Sequence, residues 1–338
     1  MSSPSPATHA GHFFNAITLI RWFFALTLVY FHACIVSGVA HSYYPPIGGH
    51  AIVSVFFVLS GMLSYEGYQK HPGARHFYLR RLRRLFPPYA AVVVGCALLL
   101  AGASSLSPAA YFSAPAFWKY LAANLSFLNF LAPQLPGVFT DNAISAVNSS
   151  LWTMKVEVMF YAIVPLLVWL ARRYGAAKTI VAAYLLSVAY NIVFVELYHA
   201  GGLAKFDIIR RQMPGQLMYF AAGMAAVHLR TRLLSHKYLF GLCGLLVWFV
   251  CGLFTTLRPI EPLAIAATIT TLAYGFRGLS ALAVRVPNLT YEVYLLHFPM
   301  MQVFVSIGLF SALGFVPAFA ATLLIVLLLS AAMHRVFA

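Results

Sequence analysis

Two ionisable side chains, Arg21 and His32, interrupt an otherwise apolar stretch at residues 17–36. They are eleven residues apart. At ~100° and ~1.5 Å per residue, a helix places both on nearly one face, about 16 Å apart along its axis. Because an ionisable group is costly in lipid unless it faces a partner or a cavity, we expect both side chains to point into a polar interior that forms the working site.

A carboxylate occurs at Glu157, about two turns into a later apolar stretch, and we expect it to lie at the depth of His32. A carboxylate beside an imidazole fixes the imidazole tautomer and raises its basicity, which suits a general base that deprotonates a hydroxyl. Two structural alternatives stay open. His32 could form only a structural hydrogen bond between two helices. Glu157 could serve only to neutralise the charge of Arg21 or Lys155.

Four arginines, Arg80, Arg81, Arg83 and Arg84, precede Pro87, where we expect the next helix to open. Arg81 and Arg84 are three residues apart and share a helical face, so they form a fork suited to phosphate oxygens. The use of arginine rather than lysine favours bidentate phosphate recognition. The alternative is that these cations only set the topology and contact lipid headgroups.

A polar stripe occurs in a late apolar stretch, where Tyr291, Tyr294 and His297 follow at three-residue steps. Such residues lie on one broad helical face, and a polar stripe in a membrane helix points inward. Ser60 lies within an aromatic-rich apolar segment, which by itself indicates close helix packing. These residues are therefore candidates for the wall of the interior site.

The composition defines the class of protein. Of the 338 residues, 62% are hydrophobic and only 9% are charged, which excludes a soluble domain and indicates a polytopic membrane protein. The four cysteines have no paired or metal-ligand spacing, so we expect no metal site. The net charge of +15 must be located before it is interpreted.

Ten apolar stretches are long enough to be considered as membrane spans, which predicts an all-α bundle. They lie at about 14–36, 49–68, 87–105, 151–171, 179–197, 214–229, 239–257, 262–276, 288–309 and 315–333. With both termini cytoplasmic, fifteen of the 22 lysines and arginines lie on the cytosolic side, six lie outside, and Arg21 lies within the first span. This distribution explains the positive charge without a nucleic-acid partner.

The domain organisation is simple. Residues 1–13 are expected to be a polar cytoplasmic tail, and residues 14–338 a single transmembrane domain with no soluble domain appended. The first apolar run is too long for a signal-peptide core and is expected to be retained. The longest connection, about 106–150, is external and contains an interfacial or re-entrant helix at 117–132.

Six short elements occur in order along nearly the whole chain and resemble those of one family, the acyltransferase 3 family of integral membrane O-acyltransferases that modify cell-surface polysaccharides and peptidoglycan. The elements are Arg21 with His32, VFFVLSG at 55–61, Arg81 and Arg84 followed by Pro87, SLWTMKVEVMFYAIVPLL at 150–167, FAAGM at 220–224 and YEVYLLHFP at 291–299. Thr18 departs from the family pattern, since many members have aspartate there, so that supporting role is unfilled or supplied elsewhere.

The resemblance implies transfer of an acyl group, most simply acetyl, from cytosolic acyl-CoA to a hydroxyl of a cell-surface or exported glycan. Acyl-CoA would be a donor substrate rather than a permanently bound cofactor. The resemblance also implies an integral, multi-pass protein of a bacterial inner membrane.

The resemblance assigns roles to the residues above. His32 would be catalytic with Glu157 nearby, and Arg21 would hold the polar interior. The expected phosphate-binding residues are Arg80, Arg81, Arg83 and Arg84. The expected residues of the substrate pocket are Ser60, Trp152, Tyr291, Tyr294 and His297.

Two mechanisms and two other functions stay open from the sequence. The acyl group could pass directly to a hydroxyl deprotonated by His32, with a tyrosine hydroxyl or a helix-end amide stabilising the oxyanion, or it could form a covalent intermediate on His32 or a tyrosine. Buried Arg, His and Glu also fit a proton-coupled transporter. The second alternative function is that of a subunit that presents acyl groups to a separate external transferase.

Overall fold

The computed structural model describes residues 16–337, and within them the chain forms helices and turns without any strand. The stretch 1–13, expected to be a polar tail, lies outside the described residues. The α-helices are α1 (Ile17–Ser37), α2 (Gly49–Lys70), α3 (Ala74–Leu99), α4 (Pro108–Ser113), α5 (Pro115–Leu125), α6 (Trp152–Tyr174), α7 (Ala176–Gly201), α8 (Ala204–Arg210), α9 (Met213–His228), α10 (Arg230–Ser235), α11 (Lys237–Leu253), α12 (Glu261–Tyr274), α13 (Arg277–Ala283), α14 (Thr290–Ser306), α15 (Leu309–Leu313) and α16 (Phe315–Phe337).

Ten of these helices lie at the expected spans, but their lengths differ. Six helical segments, corresponding to α1, α2, α3, α6, α7 and α16, are long and apolar enough to cross a membrane. The helices α9, α11, α12 and α14 have 14 to 17 residues, or about 21–26 Å, against ~30 Å of hydrocarbon. The protein is therefore a multi-pass helical membrane protein, while the count of ten spans and the cytoplasmic termini stay predictions.

The outer helices expose apolar side chains that suit lipid. Leu186 on α7 is 71% exposed and Leu242 on α11 is 72% exposed. Exposed apolar surface of this extent is unfavourable in water and favourable in hydrocarbon. In contrast, α9 buries ten of its sixteen residues. The bundle thus has inner helices enclosed by lipid-facing ones.

The arginine-rich segment lies on a spanning helix rather than before it. We expected a helix to open at Pro87, but α3 begins at Ala74 and continues through Pro87 and Pro88 to Leu99. Proline in a helix interior removes its own N–H bond and crowds the carbonyl four residues earlier, and neighbouring groups accommodate this in membrane helices. As a result, the arginines are rigidly connected to the membrane bundle.

The helices α1 and α14 run parallel and are held at two levels. Near the start of α1, the Trp22 indole Nε1 donates to the Pro287 carbonyl over 2.8 Å. Pro287 lies three residues before α14. Ten residues after Trp22 and ten after Pro287, His32 Nδ1 lies 2.8 Å from His297 Nε2. The same sequence offset at both levels shows that the two helices lie side by side in one direction, as alternation predicts for the first and ninth spans.

The long connection between α3 and α6 is held against α14. The eleven-residue α5 lies where an interfacial or re-entrant helix was expected at 117–132. Gln302, fully buried on α14, donates its amide to the carbonyls of Ile144 and Ala146. Asn142 in turn donates to the main-chain and side-chain oxygens of Gln302. This connection is therefore an ordered part of the bundle near His297.

Glycines allow α2 and α9 to approach each other closely. A Cβ atom at Gly61 would lie 2.1 Å from the Phe220 carbonyl oxygen, and one at Gly223 would lie 2.1 Å from the Val58 carbonyl oxygen. These neighbours are main-chain atoms that cannot rotate away. Small residues at such contacts are how membrane helices pack closely.

We expect Gly223→Ala to reduce the free energy of unfolding by about 1–3 kcal/mol, because the added methyl group forces α2 and α9 apart. Gly95→Ala is the matched control, since a Cβ atom at Gly95 on α3 meets nothing within 4 Å. The thermal unfolding midpoint of detergent-purified protein measures the effect. Equal midpoints for the two variants would contradict this account of the contact.

Candidate active site

A cavity of about 1050 Å³, including its open mouth, lies among α1, α2, α3, α6 and α14. On α1 its wall extends from Arg21 to Val29, which is about 12 Å along the helix. Arg84 is exposed and His297 is fully buried. The cavity therefore leads from an open arginine-lined end, here called the arginine mouth (Arg21, Arg81 and Arg84), to a closed end at His297.

The arginine mouth contains three guanidinium groups. Arg81 Nη2 donates to Ser64 Oγ over 3.2 Å, and its guanidinium lies 4.7 Å from the centre of the Tyr161 ring. The buried Nε atoms of Arg21 and Arg81 have no hydrogen-bond partner. Within residues 16–337, none of the three arginines forms an ion pair with an acid. The mouth therefore has an excess of positive charge, since three guanidinium groups share a cavity with the single carboxylate of Glu157 in its described lining.

Two hydroxyl groups hold the Glu157 carboxylate. Glu157 lies one helical turn from Tyr161 on α6, on the side away from the arginine mouth. Its Oε1 atom accepts a hydrogen bond from Ser60 Oγ over 2.8 Å and another from the Tyr161 hydroxyl. The expected pairing of Glu157 with His32 is wrong, because Glu157 bonds towards the arginine mouth. The alternative ion pair with Lys155 is also absent, since the Lys155 ammonium lies 4.1 Å from the centre of the Phe130 ring.

Two tyrosines of α14 also line the cavity. The Tyr291 hydroxyl donates to the Leu85 carbonyl over 2.9 Å. The Tyr294 hydroxyl donates to the Ser150 carbonyl and also bonds Thr153 Oγ1 over 2.6 Å. A tyrosine hydroxyl has a single proton to donate. Both tyrosines therefore hold the helices in place and have no spare donor for an oxyanion in this arrangement.

The closed end of the cavity is formed by an imidazole pair. His32 and His297 are hydrogen-bonded, and their rings are nearly parallel, with an interplanar angle of 7° and centroids 5.1 Å apart. His297 Nδ1 lies 3.1 Å from the Val293 carbonyl oxygen. His297 lines the cavity, whereas the partly exposed His32 lies immediately behind it and is not part of the lining.

The structure brings most of the sequence-predicted residues to this site. Arg21, Ser60, Arg81, Arg84, Glu157, Tyr291, Tyr294 and His297 line the cavity. Arg80 and Arg83 are exposed outside its lining, because one helical position turns a side chain by ~100°. Trp152 packs against the apolar core instead of the cavity. The functional roles assigned to all of these residues stay predictions.

Sequence reasoning did not single out Thr153 and Tyr161, which both line the cavity. Tyr161 follows Glu157 by four residues, and such residues meet on one helical face. Thr153 precedes Glu157 by four residues and lies on the same face. A search of the helix for polar residues at four-residue steps from Glu157 would have identified both.

The fold and the cavity define a multi-pass membrane protein with a polar, cation-rich interior site. The chain belongs to the acyltransferase 3 family, since the model of that acyltransferase domain matches residues 14–335. It is similar to nodulation protein 10 of Rhizobium leguminosarum bv. viciae, with 25% identity over 282 residues, which cover 76% of this chain and 73% of that protein. No solved structure matches.

The hydroxyl layer around Glu157 can be tested by a double-mutant cycle. We expect Ser60→Ala and Tyr161→Phe each to reduce the unfolding free energy by about 1–3 kcal/mol, since each removes a hydrogen bond to a carboxylate. The double variant should lose more unfolding free energy than the two single variants lose together, because that carboxylate oxygen then has no donor. Thermal unfolding of the purified variants measures this coupling.

Tyr78→Phe is the control for the same tyrosine chemistry, because the Tyr78 hydroxyl bonds the Ala162 carbonyl outside the cavity. Its effect should be independent of Ser60→Ala. Strict additivity between Ser60→Ala and Tyr161→Phe would show that the two hydroxyls do not act on one group.

Proposed function

We propose that this protein transfers an acyl group, most simply acetyl, from acyl-CoA to a hydroxyl of a cell-surface or exported glycan. The observation that supports this most strongly is the arginine mouth, where three guanidinium groups face a cavity whose one carboxylate is occupied by hydroxyl donors. Arginine cannot be neutralised by deprotonation, so this site favours an anionic ligand. Acyl-CoA has phosphates at one end and a thioester at the other.

The proposed donor lies along the cavity. Its phosphates contact Arg81 and Arg84 at the mouth, where planar guanidinium groups can bind phosphate oxygens in pairs. Its flexible arm passes Glu157, and its thioester reaches the closed end at His297. The apolar wall, which includes Leu28 and Phe57, suits the methylene groups of the arm and the acyl chain.

The proposed reaction needs one base. His32 Nε2 takes the proton of the acceptor hydroxyl, and the resulting oxygen forms a C–O bond with the thioester carbonyl carbon. The C–S bond breaks, and the departing thiolate receives the proton from the His32 imidazolium, so the products are the ester and free CoA. Direct transfer is favoured over a tyrosine intermediate because both cavity tyrosines of α14 donate their hydroxyl protons to main-chain carbonyls.

The proposed orientation has the arginine mouth in the cytosol and the imidazole pair towards the outside of a bacterial inner membrane, as the distribution of cations predicts. The acyl-CoA donor then enters from the cytosol, and the glycan acceptor approaches the partly exposed His32 from the opposite side. Donor and acceptor would meet at the imidazole pair without either one crossing the bilayer, which requires the closed end of the cavity to open beside His297 during transfer.

The donor half of this proposal is tested by two matched pairs of substitutions on α3. We expect Arg81→Gln/Arg84→Gln to weaken acetyl-CoA binding at least about tenfold, because two charge-assisted contacts with phosphate are lost. Arg80→Gln/Arg83→Gln removes the same charge from the same helix but outside the cavity. Isothermal titration of the detergent-purified proteins with acetyl-CoA compares them.

Equal weakening in both double variants would indicate that these arginines act only through general charge or lipid contact, and would contradict the phosphate site. Unchanged acetyl-CoA binding in Arg81→Gln/Arg84→Gln would also contradict the phosphate site. Glycan flux across proteoliposomes without acyl-CoA would instead favour a transporter.

The base is tested separately from the donor site. We expect His32→Ala to lower acyl transfer by about 10²–10⁴-fold, which is the contribution of a positioned general base, while acetyl-CoA binding is retained. His199→Ala, at an exposed position on α7, is the control. Transfer of radiolabelled acetyl groups to surface glycan in complemented deletion cells measures activity, and retained activity in His32→Ala would remove His32 from catalysis.

A further inference from the structure

The hydrogen-bond partners of His32 and His297 determine which of their ring nitrogens carry a proton. A main-chain carbonyl can only accept a hydrogen bond, so the 3.1 Å contact between His297 Nδ1 and the Val293 oxygen places a proton on His297 Nδ1. A neutral imidazole has one N–H group, which leaves His297 Nε2 without a proton. His297 Nε2 is therefore an acceptor.

The same reasoning extends to His32. The 2.8 Å contact joins His32 Nδ1 to His297 Nε2, and because the latter accepts, His32 Nδ1 must donate. The single proton of neutral His32 is then on Nδ1, and His32 Nε2 has a free lone pair. The direction of the whole chain of hydrogen bonds is set by one main-chain carbonyl.

We infer that His297 is the positioning residue that holds His32 in the Nδ1–H tautomer with Nε2 free to act as the base. This inference rests on the proposed function for its catalytic meaning. It gives to His297 the role that sequence reasoning gave to Glu157, which is instead engaged by Ser60 and Tyr161.

The packing around the pair supports a fixed geometry. His297 is fully buried, and the Phe298 ring packs against the His32 ring at an interplanar angle of 79° with centroids 5.3 Å apart. Gln302 lies five residues beyond His297 on α14 and anchors the connection between α3 and α6. Because His297 is neutral when it accepts this bond, it orients His32 without adding a negative charge to the closed end of the cavity.

Substitutions at His297 separate positioning from packing. We expect His297→Leu to lower kcat about 10- to 100-fold with little change in the KM for acetyl-CoA, because His32 loses its orienting acceptor while the arginine mouth is intact. His297→Gln keeps an acceptor oxygen within reach of His32 Nδ1 and should recover most of the activity. Met301→Leu, a volume-conserving change at a buried position one turn further along α14, is the packing control.

The tautomer itself provides a readout that needs no catalysis. Nitrogen-15 NMR of histidine-labelled wild-type protein in nanodiscs, with His32 assigned from the His32→Gln variant, should show His32 protonated at Nδ1. In His297→Leu the Nδ1–H preference should be lost. Since this measurement is made without substrate, it stands even if the wild-type protein proves not to transfer acyl groups, an outcome that would overturn the proposed function alone.

Any one of three results overturns the inference. The first is an Nε2–H tautomer of His32 in the wild-type protein. The second is a His297→Leu variant with wild-type kcat in an otherwise active transferase, and the third is a His297→Gln variant that is no more active than His297→Leu. If the variants at His297 do not fold, the wild-type tautomer decides the question.

Discussion

A guanidinium group cannot lose its charge inside a membrane, and this constraint determines how the bundle is built. Arg21 lies within an apolar helix and would be strongly unfavourable against lipid. The structure places it on a cavity together with Arg81 and Arg84, with no acid paired to any of the three among residues 16–337. The cavity is therefore required by the charge, and the surrounding helices must be arranged to keep it open.

The polar groups of the cavity are arranged in layers with separate tasks. The arginines occupy the open end, Glu157 and its hydroxyl donors follow, and the tyrosines of α14 hold the next layer through main-chain carbonyls. The imidazole pair of His32 and His297 closes the cavity. This order separates the guanidinium groups from the imidazole pair, which suits the proposed function of an anionic donor at one end and a neutral base at the other.

The sequence predicted which faces point inward but not which side chains meet. The cost of burial was sufficient to turn Arg21 towards the interior, and helical spacing was sufficient to put Arg81 and Arg84 on one face, because those rules act within one helix. The partner of His32 depended on how α1 packs against α14, a tertiary contact 265 residues apart in the chain. Periodicity within one helix does not describe how two helices pack. The sequence therefore predicted Glu157 as the partner of His32 from its chemistry, whereas the packing of α1 against α14 brings His297 to His32.

The account depends most on the claim that the cavity binds an anionic donor with its phosphates at the arginine mouth. A cryo-electron microscopy structure of the full chain in nanodiscs with a non-hydrolysable acetyl-CoA analogue tests this directly. The account predicts phosphate density within hydrogen-bond distance of the Arg81 and Arg84 guanidinium groups and the acyl end beside His297. Analogue density outside the cavity, or a cavity occupied only by lipid at saturating analogue, would contradict it.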